Sequence, residues 1–247
     1  MIENPKTAIL LAADKIQHLK PITDFIPKPL IRIAGRSILK RALDRLTEAG
    51  VEKVIVVTNE ESQKIDQRLS KYEHDLEIII KLEEEPENSL QSAKLALDDI
   101  DEEFVWVINT DILWLYSKES SLNRLCRIYN SQKMDAALLM YESAEAWGNV
   151  RYGDYFMAAD GRLEQLPERQ VSPWVYTGIQ ILPTQILKNA PTDKNYDMHQ
   201  LWDELLDKER LYGVLHDGEW FHFDNVDSLE LAKDYMSTHY AYTPRRF

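Results

Sequence analysis

The sequence predicts an α/β protein in three layers, a mostly parallel central sheet with helices on both faces. Three observations predict it. Continuous apolar runs at 7–13, Lys53–Thr58, 76–82 and Phe104–Asn109 have the composition of strands buried on both faces. Helical periodicity fills the intervals between them, and strand–helix alternation implies right-handed crossovers. A chain of 247 residues with 44% hydrophobic content is ample for one buried core.

Each element follows in order. The first strand, 7–13, gives way to an irregular stretch, 14–36, that holds Pro21, Pro27 and Pro29. Residues 37–49 read as an amphipathic helix with Ile38, Leu39, Ala42, Leu43 and Leu46 as its apolar stripe, and Gly50 is a natural stop. Lys53–Thr58 is a second strand, 60–71 a helix, 76–82 a third strand, 89–97 the start of a helix, and Phe104–Asn109 a fourth strand. The second half is more mixed: a strand at 136–141, a hairpin at 155–163 turning on Asp160-Gly161, a strand at 175–182 and a helix at 197–208. Segments 213–216 and 220–223 flank Asp217-Gly218 and read as a second hairpin; 228–236 is a closing helix. No internal repeat or linker-like composition appears, so one domain is expected over 1–236 with a tail at 237–247.

Composition narrows the function. Twenty-nine basic against 42 acidic residues give a net charge of −13, which argues against a general nucleic-acid coat. No apolar run reaches the ~18 residues of a membrane span, and the N-terminus lacks a signal peptide's pattern. The single cysteine, Cys126, reads as a small buried hydrophobe and fits a reducing cytoplasm. Eight glycines fall well below the usual ~7%, and none lies between Gly50 and Gly148 or before Gly35. A phosphate-cradling loop in the first half must therefore work without glycine.

Buried parallel strands bind their ligands outside their carboxyl ends. One such end carries charge against the global trend: Lys15, Lys20, Lys28, Arg32, Arg36 and Lys40 are opposed only by Asp24, a local charge of +5. That field suits a polyanion, although a solvated basic face has the same composition. Lys28 stands between Pro27 and Pro29. Two fixed φ angles stiffen its loop, so a lysine there loses less entropy on clamping a phosphate; an ordinary turn is the alternative. Asp111 follows a strand through Asn109-Thr110, where a carboxylate suits Mg²⁺, and on spacing alone a helix N-cap accounts for it equally well.

Several motifs in combination resemble the sugar-1-phosphate nucleotidyltransferase family. Leu11-Ala-Ala-Asp-Lys-Ile-Gln-His-Leu-Lys-Pro-Ile-Thr23 and Pro27-Lys-Pro-Leu30 keep the register of its opening motif, and Asn109-Thr-Asp111 matches its strand-end metal motif. Segments 160–163, 167–170, 175–179, 210–213 and 217–220 are similar to the branch containing N-acetylmuramate-1-phosphate uridylyltransferase. The resemblance spans roughly residues 6–235. It implies a Rossmann-like, GT-A-like fold, and nucleotidyl transfer from a nucleoside triphosphate to a sugar 1-phosphate with Mg²⁺. UTP with N-acetylmuramate 1-phosphate or a related hexose phosphate is the implied substrate pair. Carried over residue by residue, Lys28 and Asp111 are catalytic. Ala12, Ala13, Asp14, His18, Gln91 and Asn109 lie on the nucleotide side, and Glu168, Tyr176, Thr177 and Gly178 on the sugar side. Asp224 joins Asp111 as metal ligand, with His222, Asn225 and Asp227 as alternatives.

The sequence departs from the family at both glycine-rich loops. Asp14 and Ile16 replace two glycines and His18 an arginine; Asn88-Ser-Leu-Gln-Ser92 replaces the second loop. Close backbone approach to phosphate is compromised, and His18 lacks a guanidinium fork. Two expectations follow: an active transferase with a modified nucleotide loop, or a catalytically impaired relative that binds a nucleotide, a sugar phosphate or a protein.

Overall fold

The computed structural model describes residues 2–13, 17–59, 62–71, 75–85, 87–115, 118–148, 152–167 and 169–240. β1 (Thr7–Ala12) leads through short 3-10 turns to the β2 (Arg32–Ile33) and β3 (Arg36–Ser37) ribbon and then α1 (Ile38–Glu48). β4 (Lys53–Thr58), α2 (Ser62–Leu69), β5 (Glu77–Leu82), α3 (Ser89–Lys94) and β6 (Phe104–Asn109) complete the first half. The second half runs β7 (Ile112–Leu115), α4 (Ser121–Ile128), β8 (Ala136–Glu142), β9 (Tyr155–Met157), β10 (Leu163–Gln165) and β11 (Trp174–Pro183). It closes with α5 (Thr184–Asn189), α6 (Met198–Asp207), β12 (Leu211–Leu215), β13 (Glu219–His222) and α7 (Val226–Tyr240).

The expected α/β sheet is present. β5, β4, β1 and β6 pair in parallel in that order. β11 runs antiparallel to both β6 and β8, and β12 pairs in parallel with β8. From β5 to β12, β11 alone therefore runs against the rest. Period-2 geometry explains the two-sided burial. Ala8, Leu10 and Ala12 of β1 join a core with the apolar faces of α1 and α4. Ile9 and Leu11 join the opposite core with α3, α5 and α6. A third cluster, built from β2, β7, β13 and α7, includes Leu19, Phe221, Phe223 and Leu229. No helix among the described residues is long and apolar enough to cross a membrane.

Local chemistry sets the helix ends. Ser37 caps α1 by accepting from the Lys40 N–H at 3.2 Å. Gly50, with φ +81°, ends the segment while the Val51 N–H bonds Leu46 O at 3.0 Å. Cys126 is buried in α4, and burial pushes its thiol up to about 12, as expected of a packing residue.

Two expectations need correction. Asp217-Gly218 is not the turn of a hairpin, because β12 joins the main sheet beside β8 while β13 pairs antiparallel with β7. The turn passes the chain from one sheet to another. Residues 237–240 of the expected tail are helical, since α7 continues to Tyr240; residues 241–247 lie outside the described residues. β7 and α4 had no sequence expectation.

Candidate active site

The site forms where β6 ends, between two neighbouring strands. Thr110 is pinned to β1, its N–H and its hydroxyl both donating to Leu11 O at 3.2 and 2.7 Å. Asp111 follows, and its carbonyl accepts the Phe223 N–H at 2.8 Å. The β7–β13 ribbon sets His222 opposite Ile112, which brings its Nε2 to 3.8 Å from Asp111 Oδ2. Lys28 comes from the other side on a 3-10 turn, with Leu30 N–H donating to Pro27 O at 2.8 Å. Its Nζ lies 3.4 Å from the same Asp111 Oδ2, and the lysine is only 4% exposed.

A carboxylate thus sits between an ammonium and an imidazole. Burial alone would raise the Asp111 carboxyl; the Lys28 charge and the neighbouring His222 outweigh it and hold it well below the usual carboxylate range. Burial likewise opposes charge on His222, and Asp111 overcomes it, so the imidazole is raised. Asp111 Oδ1, His222 Nδ1 and Asp224 Oδ1 are buried with no hydrogen-bond partner among the described residues. A buried orphan carboxylate oxygen costs free energy unless a ligand satisfies it.

That orphan oxygen fits Mg²⁺, which takes one or two carboxylates and leaves its other positions to substrate phosphates and water. The Asp111 carboxylate would supply that oxygen. No group of three His, Cys, Asp or Glu suited to a metal occurs among the described residues.

The opposite wall is β11. Its register against β8 is irregular between Tyr176 and Gln180. Gly178 has φ +85°, and a Cβ there would stand 3.1 Å from Asn109 Cβ, so only glycine suits the close approach of β11 to β6. Tyr176 packs edge-on against Trp202 with ring centroids 4.8 Å apart. Its N–H donates to Asp154 Oδ2 at 2.7 Å. Together these walls enclose a cleft of about 210 Å³.

Asn109, Asp111, Tyr176, Thr177 and Gly178 meet in this cleft, with Lys28 on Asp111. Thr177 contributes architecture: its hydroxyl donates to Leu139 O and its carbonyl accepts the Trp220 indole N–H, both at 2.9 Å. Ala12 and Ala13 are buried at the end of β1, where Asn59 Nδ2 donates to Ala13 O at 2.9 Å. His18 is exposed on its 3-10 turn. Gln91 departs from expectation, because its amide donates at 3.2 Å to the carbonyls of Pro191, Asp193 and Tyr196 and ties down that loop. Asp14 and Glu168 lie outside the described residues.

Among the candidates for a second metal ligand, His222 rather than Asp224 lines the cleft. Asn225 caps α7 by accepting the Ser228 N–H at 2.9 Å, and Asp227 is exposed on that helix's first turn. The basic field is also smaller than its charge count implies. Arg36 and Lys40 both pair with Asp44, Lys20 with Asp24 and Lys28 with Asp111. Lys15 lies outside the described residues. Asp154 was not anticipated, since it belongs to no motif and reaches the cleft only through the pairing of Tyr155 with Trp174.

A family model for nucleotidyl transferases matches residues 7–238. N-acetylmuramate alpha-1-phosphate uridylyltransferase of Caulobacter vibrioides is 29% identical over 226 residues, covering 90% of this chain and 93% of that protein. The mannose-1-phosphate guanylyltransferase catalytic subunit beta of Drosophila pseudoobscura pseudoobscura is 24% identical over 228 residues. That match covers 89% of this chain but 59% of the relative, so the chain spans little more than half its length. Among solved structures, a UDP-glucose pyrophosphorylase complexed with UDP-glucose superposes with a TM-score of 0.78 at 17% identity, covering 94% of this chain and 98% of that one. This likeness shows the fold. A family match over nearly the whole length, on a strand-end carboxylate that holds a buried lysine, leaves one assignment: the chain belongs to the nucleotidyl transferase family, among its sugar-1-phosphate members.

Proposed function

We propose that the protein transfers a nucleotidyl group from a nucleoside triphosphate to a sugar 1-phosphate, giving a nucleoside-diphosphate sugar and pyrophosphate. UTP and N-acetylmuramate 1-phosphate or a related hexose phosphate are the proposed substrates. The Lys28–Asp111 pair carries the reading: a nearly solvent-free lysine 3.4 Å from a strand-end carboxylate, at the end of the sheet where such folds hold ligands.

The attacking oxygen belongs to the sugar's phosphate, which is already ionised, so no general base is required. It forms a bond to the α-phosphorus as the α–β anhydride bond breaks and pyrophosphate leaves. Positioning and charge neutralisation then do most of the work. In this reading Lys28 neutralises phosphate charge, and Asp111 keeps its ammonium in place. The Asp111 carboxylate would hold Mg²⁺, and Asp224 stands near enough to His222 to act on it electrostatically. When bound, Mg²⁺ supplies further neutralisation of the crowded phosphates. Tyr176 and Gly178 shape the sugar side, and Asn109 with the Ala12–Ala13 strand end faces the nucleotide. We place this reaction in the cytoplasm, in keeping with a lone, buried cysteine.

The test is pyrophosphate release by purified protein with Mg²⁺, each nucleoside triphosphate in turn and a panel of sugar 1-phosphates. Release is expected with UTP, falling roughly 100-fold or more in Lys28→Ala and in Asp111→Ala. No release with any pair, while calorimetry still records nucleotide binding, would show a binding module instead.

A further inference from the structure

Two carboxylates line the cleft, and their surroundings differ. Asp111 has two cationic side chains within 4 Å, Lys28 and His222. Asp154 has no ion pair among the described residues. Its hydrogen-bond donor there is the Tyr176 N–H, on Oδ2 at 2.7 Å, and among the described residues Oδ1 has none. His199 and His222 act on it only from a distance, and the desolvation of the cleft wall pushes its carboxyl up. Such a carboxylate is an incompletely satisfied acceptor in a partly dehydrated place.

Its position decides what it meets. Asp154 is tied to the backbone of Tyr176, on the β11 wall that faces the β6 strand end across the cleft. A phosphate drawn to Lys28 leaves the rest of its sugar to lie along that wall. An ionised carboxylate accepts hydrogen bonds from hydroxyls, attracts an ammonium and repels another carboxylate.

Building on the transferase reading, we propose that Asp154 is the specificity-determining residue of the sugar end. It selects sugar 1-phosphates that present hydroxyl or ammonium groups and rejects those that present a carboxylate. Of the acceptors proposed above, this favours a neutral or amino hexose 1-phosphate over N-acetylmuramate 1-phosphate, whose lactyl group is anionic.

Calorimetry with glucose 1-phosphate, glucosamine 1-phosphate and glucuronic acid 1-phosphate tests this on the full chain and on Asp154→Asn, which keeps an oxygen for the Tyr176 N–H. In the unaltered protein the glucuronic acid ester is expected to bind at least roughly ten-fold more weakly than the glucose ester, and the glucosamine ester most tightly. In Asp154→Asn the acidic penalty and the amino advantage should both vanish. Equal binding of acidic and neutral esters to the unaltered protein, or the same ranking in both proteins, overturns the role of Asp154 and leaves the transferase reading intact. If that variant does not fold, Asp154→Ser is measured against the same three esters, and the same two outcomes decide the matter. Failure of all three esters to bind, together with no pyrophosphate release, overturns both readings.

Discussion

Lys28 illustrates what a single residue reveals and conceals. Its two flanking prolines mark a stiff loop, and that much is legible in sequence. Its partner Asp111 is 83 residues away, and only the fold brings them to 3.4 Å. The same holds for His222, one of several adjacent candidates on the C-terminal side of Trp220 until β13 pairs with β7. Its titration checks this geometry. Burial lowers the imidazole and Asp111 raises it, with a net rise above the ordinary histidine value of 6.5. A raised histidine stabilises the fold at pH below the unfolded pKa, and the contribution is lost as pH rises through the folded value. In metal-free protein, NMR should therefore show His222 titrating above 6.5. In Asp111→Asn the strongest opposition to burial is lost and Asp224 alone still raises the imidazole, so it should titrate lower than in the unaltered protein. A His222 pKa that ignores the substitution would contradict the arrangement.

At the scale of elements, short-range signals were reliable wherever the deciding chemistry was local. The helix expected at 197–208 forms as α6, because Asp197 and Gln200 complete a reciprocal capping box. Asp197 accepts the Gln200 N–H at 3.0 Å and Gln200 Oε1 accepts the Asp197 N–H at 2.9 Å. Asp197→Ala should cost about 1 kcal/mol in urea unfolding, with the cleft and substrate binding unchanged. The Asp217-Gly218 expectation failed for the complementary reason. A turn sequence specifies that the chain reverses, whereas partner strands elsewhere specify what it pairs with. β8 takes β12 and β7 takes β13, and neither competition is visible in the turn. Gln91 teaches the same lesson, since the loop at 191–196 offers three carbonyls that local sequence does not announce.

Across the whole molecule, β1 is the shared wall of two cores, and its pairing on both edges makes it the structural centre. Leu10 is fully buried there, between Val56 and Ile108. Leu10→Ala should lower stability by about 2–5 kcal/mol, measured by urea unfolding, through lost transfer free energy and the cavity left behind. A loss of only a few tenths would show that the sheet centre lies elsewhere. The sequence by itself determined the α/β class, the four parallel strands of the first half, and the framework containing Lys28 and Asp111. Burial on both faces leaves continuous apolar runs, and a stiff loop needs its prolines in the chain. The tertiary structure alone decided that Asp44 and Asp111, as well as Asp24, pair with cations of the basic stretch. It also decided that His222 stands beside Asp111, and that Asp154 lines the same cleft. Those facts depend on which distant atoms come within a few ångströms, and charge neutralisation and specificity act over that distance.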